Sequence, residues 1–341
     1  MPIKKLKFNF VVIFSSLIIL LISLNVKADR VVISNEGSDN ITIIDLNTYE
    51  ILNTIESGDR PRDMHYIPGT NHLLVAASED DTINVIDMET LKMIGNLETG
   101  DDPEIFDISP DGKVAVVSNE DDNEATVIDI QTGKIIRVIE DVGIEPEGVN
   151  FTPDGKLVFI TSEGTNTIII IDPWIGEIIE EVLVGNRPRR GAFAKNGEEY
   201  WVTNELGGTV SVIDTNTFSI KHTINFERKG IRSSEITPVD FAMSNDGNLA
   251  YITLGRSKHV AVVDTNNYEV IDYILAGSRV WGAAITKDDK ILIVTNGQSD
   301  DISIIDTDKR ASIKSIAVGI TPHTVRTVSY THLTLPTIYS V

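Results

Sequence analysis

One short phrase, apolar-x-apolar-Ile/Val-Asp, returns seven times along the chain. It reads ITIID ending at Asp45, INVID at Asp87, ATVID at Asp129, IIIID at Asp172, VSVID at Asp214, VAVVD at Asp264 and ISIID at Asp306. Successive copies lie 42, 42, 43, 42, 50 and 42 residues apart. A fixed period of this length belongs to architectures built by repeating one supersecondary unit. Residues 103–141 show the unit: EIFDIS, the turn PDG, KVAVVSNE, a polar loop, ATVIDI, the turn QTG and KIIRVIE. Runs rich in Val, Ile and Thr, separated by Asp-Gly or Asn-Gly, are hairpin signals. Such turns stand at Asp111-Gly112, Asp154-Gly155, Asn196-Gly197 and Asp246-Gly247. No segment sustains a helical period, so the chain is all-β.

Four strands in about 42 residues predict a β-propeller blade. The first copy carries only three of its strands, RVVISNE, NITIIDL and EILNTIES, and the missing innermost strand is supplied by 322–328. The expected fold is a seven-bladed β-propeller with four antiparallel strands per blade. Its ring, one domain over 29–328, is closed by strands from both ends of the chain, which removes exposed edges.

The flanks read differently. Lys4, Lys5 and Lys7, the apolar run 8–24 and Val26-Lys27-Ala28 have the order of a secretory signal over 1–28, cleaved or kept as an anchor. After cleavage no membrane span is expected, and the destination is the periplasm or the exterior. The segment SYTHLTLPTIYSV (329–341) has no blade to join and is expected to be non-native. The full chain has 29 Lys+Arg against 51 Asp+Glu. That balance argues against a nucleic-acid partner, which selects a basic face. The absence of cysteine excludes disulfides, thiolate metal sites and cysteine nucleophiles. A monomer is expected.

The crossing from each outermost strand to the next innermost strand carries a Gly-x-x-Pro phrase at 58–61, 100–103, 143–146, 185–188 and 319–322. Degenerate copies are Thr237-Pro238 and 277–280. Glycine permits the sharp turn, and proline fits the first strand position, where no ladder donor is lost. These loops ring one mouth of the channel. Immediately after the phrase come Arg62, Glu104, Glu147, Arg189, Val239, Trp281 and His323. GDRPRD (58–63) and GNRPRR (185–190) lie three blades apart, so Arg60 and Arg62 face Arg187 and Arg189 across the opening. Two readings follow. Converging guanidinium groups suit a carboxylate-bearing ligand, with Trp281 as a stacking plane and His323 beside it. Alternatively, Glu104 and Glu147 make the ring a self-neutralising ion-pair network. Arg190 aligns with Asp63 and breaks the symmetry.

Acids at the end of the second strands, Glu36, Glu79, Glu120, Glu163 and Glu205, read as solvated loop charge. No EF-hand spacing supports a metal. They also offer a docking surface for a basic protein such as a cytochrome. The histidines are scattered, without HxH or HExxH spacing, and neither a G-x-S-x-G elbow nor a Walker loop is present. The repeated Asp of the "VID" phrase is expected to bond the turn that follows it.

Repeats such as TNE…TVSVIDT (203–215) resemble the YVTN family of bacterial propellers. RPRRGAF, ELGGTVSVID, ITPVDFAMS, VAVVDTNNYEVIDYILAGSRVWG and VTNGQSDDISIID are similar, in order, to its subgroup associated with catabolism dependent on pyrroloquinoline quinone (PQQ). The resemblance implies a periplasmic, non-catalytic binding or accessory propeller, holding PQQ or another anionic small molecule. Its implied partner is a quinoprotein dehydrogenase, a cytochrome or a transporter component. The alternatives are a propeller enzyme, either a lactonase or a quinoprotein dehydrogenase subunit, and a scaffold without a small ligand. The insertion near 226–237 is the candidate lid.

Overall fold

The computed structural model describes residues 30–328; the expected signal segment and the 329–341 tail lie outside the described residues. Seven four-stranded antiparallel sheets follow one another round a ring. In blade 1 the strand Pro322–Val328 pairs with Arg30–Asn35, so the two ends of the chain share one sheet as the repeat predicts. Blades 2 to 7 begin at Pro61–Tyr66, Pro103–Ile108, Pro146–Phe151, Pro188–Ala194, Phe241–Met243 and Val280–Ile285. These innermost strands line the central channel. Among the described residues no helix is long and apolar enough to cross a membrane.

Burial explains the pattern. The two middle strands of a blade are apolar on both faces, as in Val114–Asn119, where every residue is buried. The outermost strands are exposed almost throughout, with one buried residue near the end, as in Lys92–Glu98 and Ser219–Asn225. The core is therefore a set of apolar seams between adjacent blades. Trp201, Val210 and Val212 of blade 5 pack on Ile252, Ala261 and Val263 of blade 6. Ile33, Ile44 and Val325 pack on Ile293, Ile302 and Ile304 across the closing seam.

Two repeated polar devices hold this frame. The "VID" aspartate accepts backbone N–H groups of its own turn: Asn47 at 2.7 Å on Asp45, Glu89 at 2.8 Å on Asp87 and Asn216 at 2.9 Å on Asp214. The second device is a hydroxyl late in the second strand that donates to a carbonyl of the next blade's innermost strand. Ser34 reaches Arg62 O (2.7 Å), Ser118 Glu147 O (2.6 Å), Thr161 Arg189 O (2.5 Å) and Thr203 Val239 O (2.9 Å). Thr253 reaches Trp281 O (2.6 Å) and Thr295 reaches His323 O (2.7 Å). The Thr of the recurring "TN" dipeptide is thus a strap between blades, and all six hydroxyl-bearing residues are buried.

Candidate functional site

Six of the seven crossing loops are held in one conformation. Arg60, Asp102, Glu145, Arg187, Arg279 and Thr321, the residues before the innermost strands, have φ between 46° and 60°. That region is uncommon for residues with a side chain. It is fixed here by bonds at both ends of the peptide. Arg60 N donates to Asp39 Oδ1 (3.0 Å), Asp102 N to Asp81 Oδ1 (3.0 Å), Glu145 N to Asn123 Oδ1 (3.0 Å) and Arg187 N to Asn166 Oδ1 (2.8 Å). Their carbonyls accept from the second strand's end: Glu120 N to Asp102 O (3.2 Å), Glu163 N to Glu145 O (2.9 Å) and Glu205 N to Arg187 O (2.8 Å). These bonds draw the second-strand acids up against the crossing-loop residues. The two sequence constellations, arginines and glutamates, are one site.

Just inside the crossing loop, the innermost strands of blades 1, 2, 3, 4, 5 and 7 each shift register across two residues. In blade 5, Arg189 and Arg190 together oppose Thr203 alone, because Pro188 pairs with Asn204 and Gly191 with Val202. A bulge of this kind re-aims side chains that strict alternation would send to opposite faces. Both arginines reach the channel, one above the other.

The upper tier is an ion-pair network spanning the mouth. Arg62 contacts Glu36 (3.1 Å), Glu104 and Glu147 (3.9 Å). Arg189 contacts Glu147 (3.1 Å), Glu163 and Glu205 (4.0 Å). Arg60 reaches Glu36 (3.3 Å), Asp102 (3.2 Å) and Glu104 (3.3 Å), and Arg187 reaches Glu163 (2.5 Å) and Glu205 (3.6 Å). Arg62 and Arg189 do converge from two sides, and the carboxylate between them is the chain's own Glu147. Glu163 and Glu205 are buried, not solvated loop charge as their position suggests; Glu79 is the exposed member. The missed signal is the pairing between neighbouring blades, which the acids' spacing along one blade does not reveal.

Burial costs these groups their charge, and their partners restore it selectively. It works against the Arg62 guanidinium, but Glu104, Glu147 and Glu36 outweigh it, and the pKa is raised. Glu104 is pushed up to about 8 by burial, against the pull of Arg62. Burial likewise carries Glu163 to about 7. Glu147, flanked by Arg189 and Arg62, is held low despite its burial. Asp102, Glu104 and Glu120 bring carboxylate oxygens within 4.8 Å of one another, the spacing of a metal-binding set. Arg60 and Arg62 already place cationic charge on that set.

On the far side, Arg279 stacks over Trp281 with its guanidinium carbon 4.8 Å from the ring centre, and pairs with Glu205 at 3.2 Å. Trp281 Nε1 is buried without a hydrogen-bond partner. His323 lies against Trp281 (5.0 Å between ring centres) but is fully buried, so it supports the mouth and does not face it. Burial and then the charges of Arg62, Arg190 and Arg189 depress its pKa well below the usual imidazole value. Of the expected site residues, Arg60 and Arg187 keep solvent access, with side chains 30 % and 42 % exposed. Arg62 and Arg189 are sealed beneath them. The insertion is anchored at the blade 5–6 seam: Phe226 and Ile236 sit in the core, and Glu227 N donates to Tyr273 Oη at 3.0 Å.

Comparison with known proteins agrees with this frame. Solved structures of similar fold include hydrazine synthase of Kuenenia stuttgartiensis, with TM-score 0.74 and 21 % identity over 81 % of this chain and 92 % of that one. A functionally unknown protein of Desulfotomaculum acetoxidans aligns with TM-score 0.76 and 18 % identity over 87 % and 98 %. A putative 6-phosphogluconolactonase of Bacteroides fragilis aligns with TM-score 0.75 and 22 % identity over 89 % and 99 %. At these identities the likeness is one of fold. No curated protein matches the sequence. Residues 27–155 match the YNCE-like beta-propeller family, and residues 126–319 match the choice-of-anchor I domain. With more than half of its length in the second match, this YVTN-type propeller belongs to the choice-of-anchor I domain family.

Proposed function

We propose that this is an exported, non-catalytic accessory propeller that docks a partner protein on the face bearing the upper mouth. The observation that carries this reading is the bipolar rim. Blades 1 to 3 present the exposed acids Asp39, Asp59, Asp80, Asp101 and Asp122, whereas blades 5 to 7 present Arg187, Arg256, Lys258 and Arg279. The acids stand beside one another, whereas on the basic arc Arg187 and Arg279 share Glu205 beneath them. The neighbouring Asp80 and Asp39 raise the pKa of Asp59, and Asp122 and Asp81 raise that of Asp101. Burial and then Arg256, Arg189 and Arg187 lower Arg279, against Glu205. Opposite arcs on one rim orient an approaching dipolar partner and speed its encounter. The resemblance to PQQ-linked propellers suggests a quinoprotein dehydrogenase, a cytochrome or a transport component as that partner.

Affinity capture from the native host tests the reading. A triple reversal, Asp59→Lys, Asp80→Lys and Asp101→Lys, should abolish recovery of a partner that the unaltered chain retains at low salt and loses at high salt. Equal recovery by both proteins would falsify the docking face. A second reading rests on the Arg279–Trp281 stack and the unpartnered indole N–H, which suit a flat anionic ligand such as PQQ. A chromophore retained by native protein and released from Trp281→Ala would favour it. Turnover of lactones or alcohols would instead favour the enzyme.

A further inference from the structure

Below the ion-pair tier the channel contains a second cavity of about 140 Å³, and Asp63, His65, Asn150, Arg190, Asp240 and Arg326 bring its polar groups. The tier above it is closed, since Arg62, Glu104, Glu147 and Arg189 are all buried. On the other side His65 and Arg326 are a quarter exposed, so the cavity opens toward the lower face. We propose that it is a binding site for a small oxyanion, a carboxylate or inorganic phosphate.

The argument is one of unequal satisfaction. Every carboxylate on the cavity already has donors. Asp63 accepts from Arg326 Nη2 at 2.6 Å and lies 3.1 Å from His65 Nε2, and Arg326 is further tied to Met64 O at 2.7 Å. Asp240 accepts from Phe241 N (2.7 Å) and Ala283 N (3.2 Å). Donors, by contrast, are in surplus. Asn150 Oδ1 takes the Tyr200 hydroxyl at 2.9 Å, which turns its amide N–H groups the other way. Arg190 is 95 % buried by its 5 % exposure, yet its Nε has no partner and its nearest carboxylate oxygen, on Asp240, is 3.4 Å away. Its Nη2 donates to the Thr324 hydroxyl at 3.0 Å and lies 3.4 Å from His323 Nδ1. Buried guanidinium groups are normally paired, and an oxyanion meeting the Arg190 fork and the Asn150 amide would complete it. The site stands on a different face from the docking rim and fails or succeeds independently of it.

Equilibrium binding of acetate and of inorganic phosphate, each followed by calorimetry on the whole protein, tests this. The unaltered chain should bind at least one of them saturably with one-to-one stoichiometry. Arg190→Gln should weaken that binding at least tenfold. Asn150→Asp, which adds a carboxylate to the wall and leaves the arginine in place, should weaken it as much. Lys113→Ala, on an exposed turn, should leave it unchanged. Absence of saturable binding for both probes overturns the proposal. So does retention of affinity in Asn150→Asp, or loss of it in Lys113→Ala.

Discussion

Arg189 and Arg190 are neighbours in sequence, equally buried, and held in the same bulge, yet their surroundings differ sharply. Arg189 meets the carboxylates of three glutamates and the face of Trp281. Arg190 meets one distant carboxylate, a hydroxyl and, at 3.4 Å, the His323 ring. Charge alone therefore does not mark a binding residue in this channel. The informative quantity is how much of a buried cation's hydrogen-bonding capacity the protein itself consumes. Nε is unpartnered in Arg62, Arg189 and Arg190 alike, so the tiers differ in the terminal nitrogens: those of Arg189 meet Glu147 and Glu163, whereas those of Arg190 meet a single carboxylate at 3.4 Å.

The largest effect should come from breaking the upper tier. Arg189→Met takes the nearest cation from both Glu147 and Glu163 in the interior and should cost about 3–5 kcal/mol in urea denaturation, the usual penalty for breaking a buried ion pair. Arg190→Met should cost less than half as much. Equal penalties would dissolve the distinction between the tiers. Next comes the strap between blades 5 and 6: Thr203→Val leaves Val239 O and Arg190 N without the hydroxyl, for about 1–3 kcal/mol.

The tiers also differ in their response to pH. A carboxyl whose pKa is higher in the folded chain than in the unfolded one binds its proton more tightly when folded. Its stabilising contribution is complete below the unfolded value and disappears as pH rises through the folded one. For Glu163 and Glu104 that loss spans the range up to about 7 and about 8. His323 acts oppositely, since its folded pKa is depressed: its contribution grows as pH rises and is complete above its unfolded value of ~6.5. The melting temperature should therefore fall between pH 7 and 8.5, where only the carboxyls act, and Glu104→Gln should flatten that limb. An unchanged slope in Glu104→Gln would remove Glu104 as its source. Smallest of these ion-pair losses should be Arg187→Ala: its side chain is 42 % exposed, so water takes over part of what it gives to Glu163 and Glu205.

Much of this was legible in the residues. The seven "VID" phrases located the blades and their turns, and the missing first strand foretold closure by 322–328. The spacing of GDRPRD and GNRPRR placed Arg62 and Arg189 on opposite sides of one opening. What stayed hidden arises between blades. Glu163 read as a loop acid because its partners Arg187 and Arg189 sit on the next blade, and Glu205 because Arg279 sits two blades on. Arg190 read as a break in symmetry because strict alternation cannot anticipate a bulge that turns two consecutive side chains inward. The same bulge also lies behind the lower cavity, which no motif announces.

The closing strand Pro322–Val328 has a consequence in time. It carries Thr324 and Arg326, whose bonds to Arg190 and Asp63 span 134 and 263 residues. Contacts between such remote segments form late, because a long loop must close before they repay its entropy. The lower site is therefore finished only when the ring is. A partly folded chain would present blades without the lower cavity, so binding there would report that folding had reached its end.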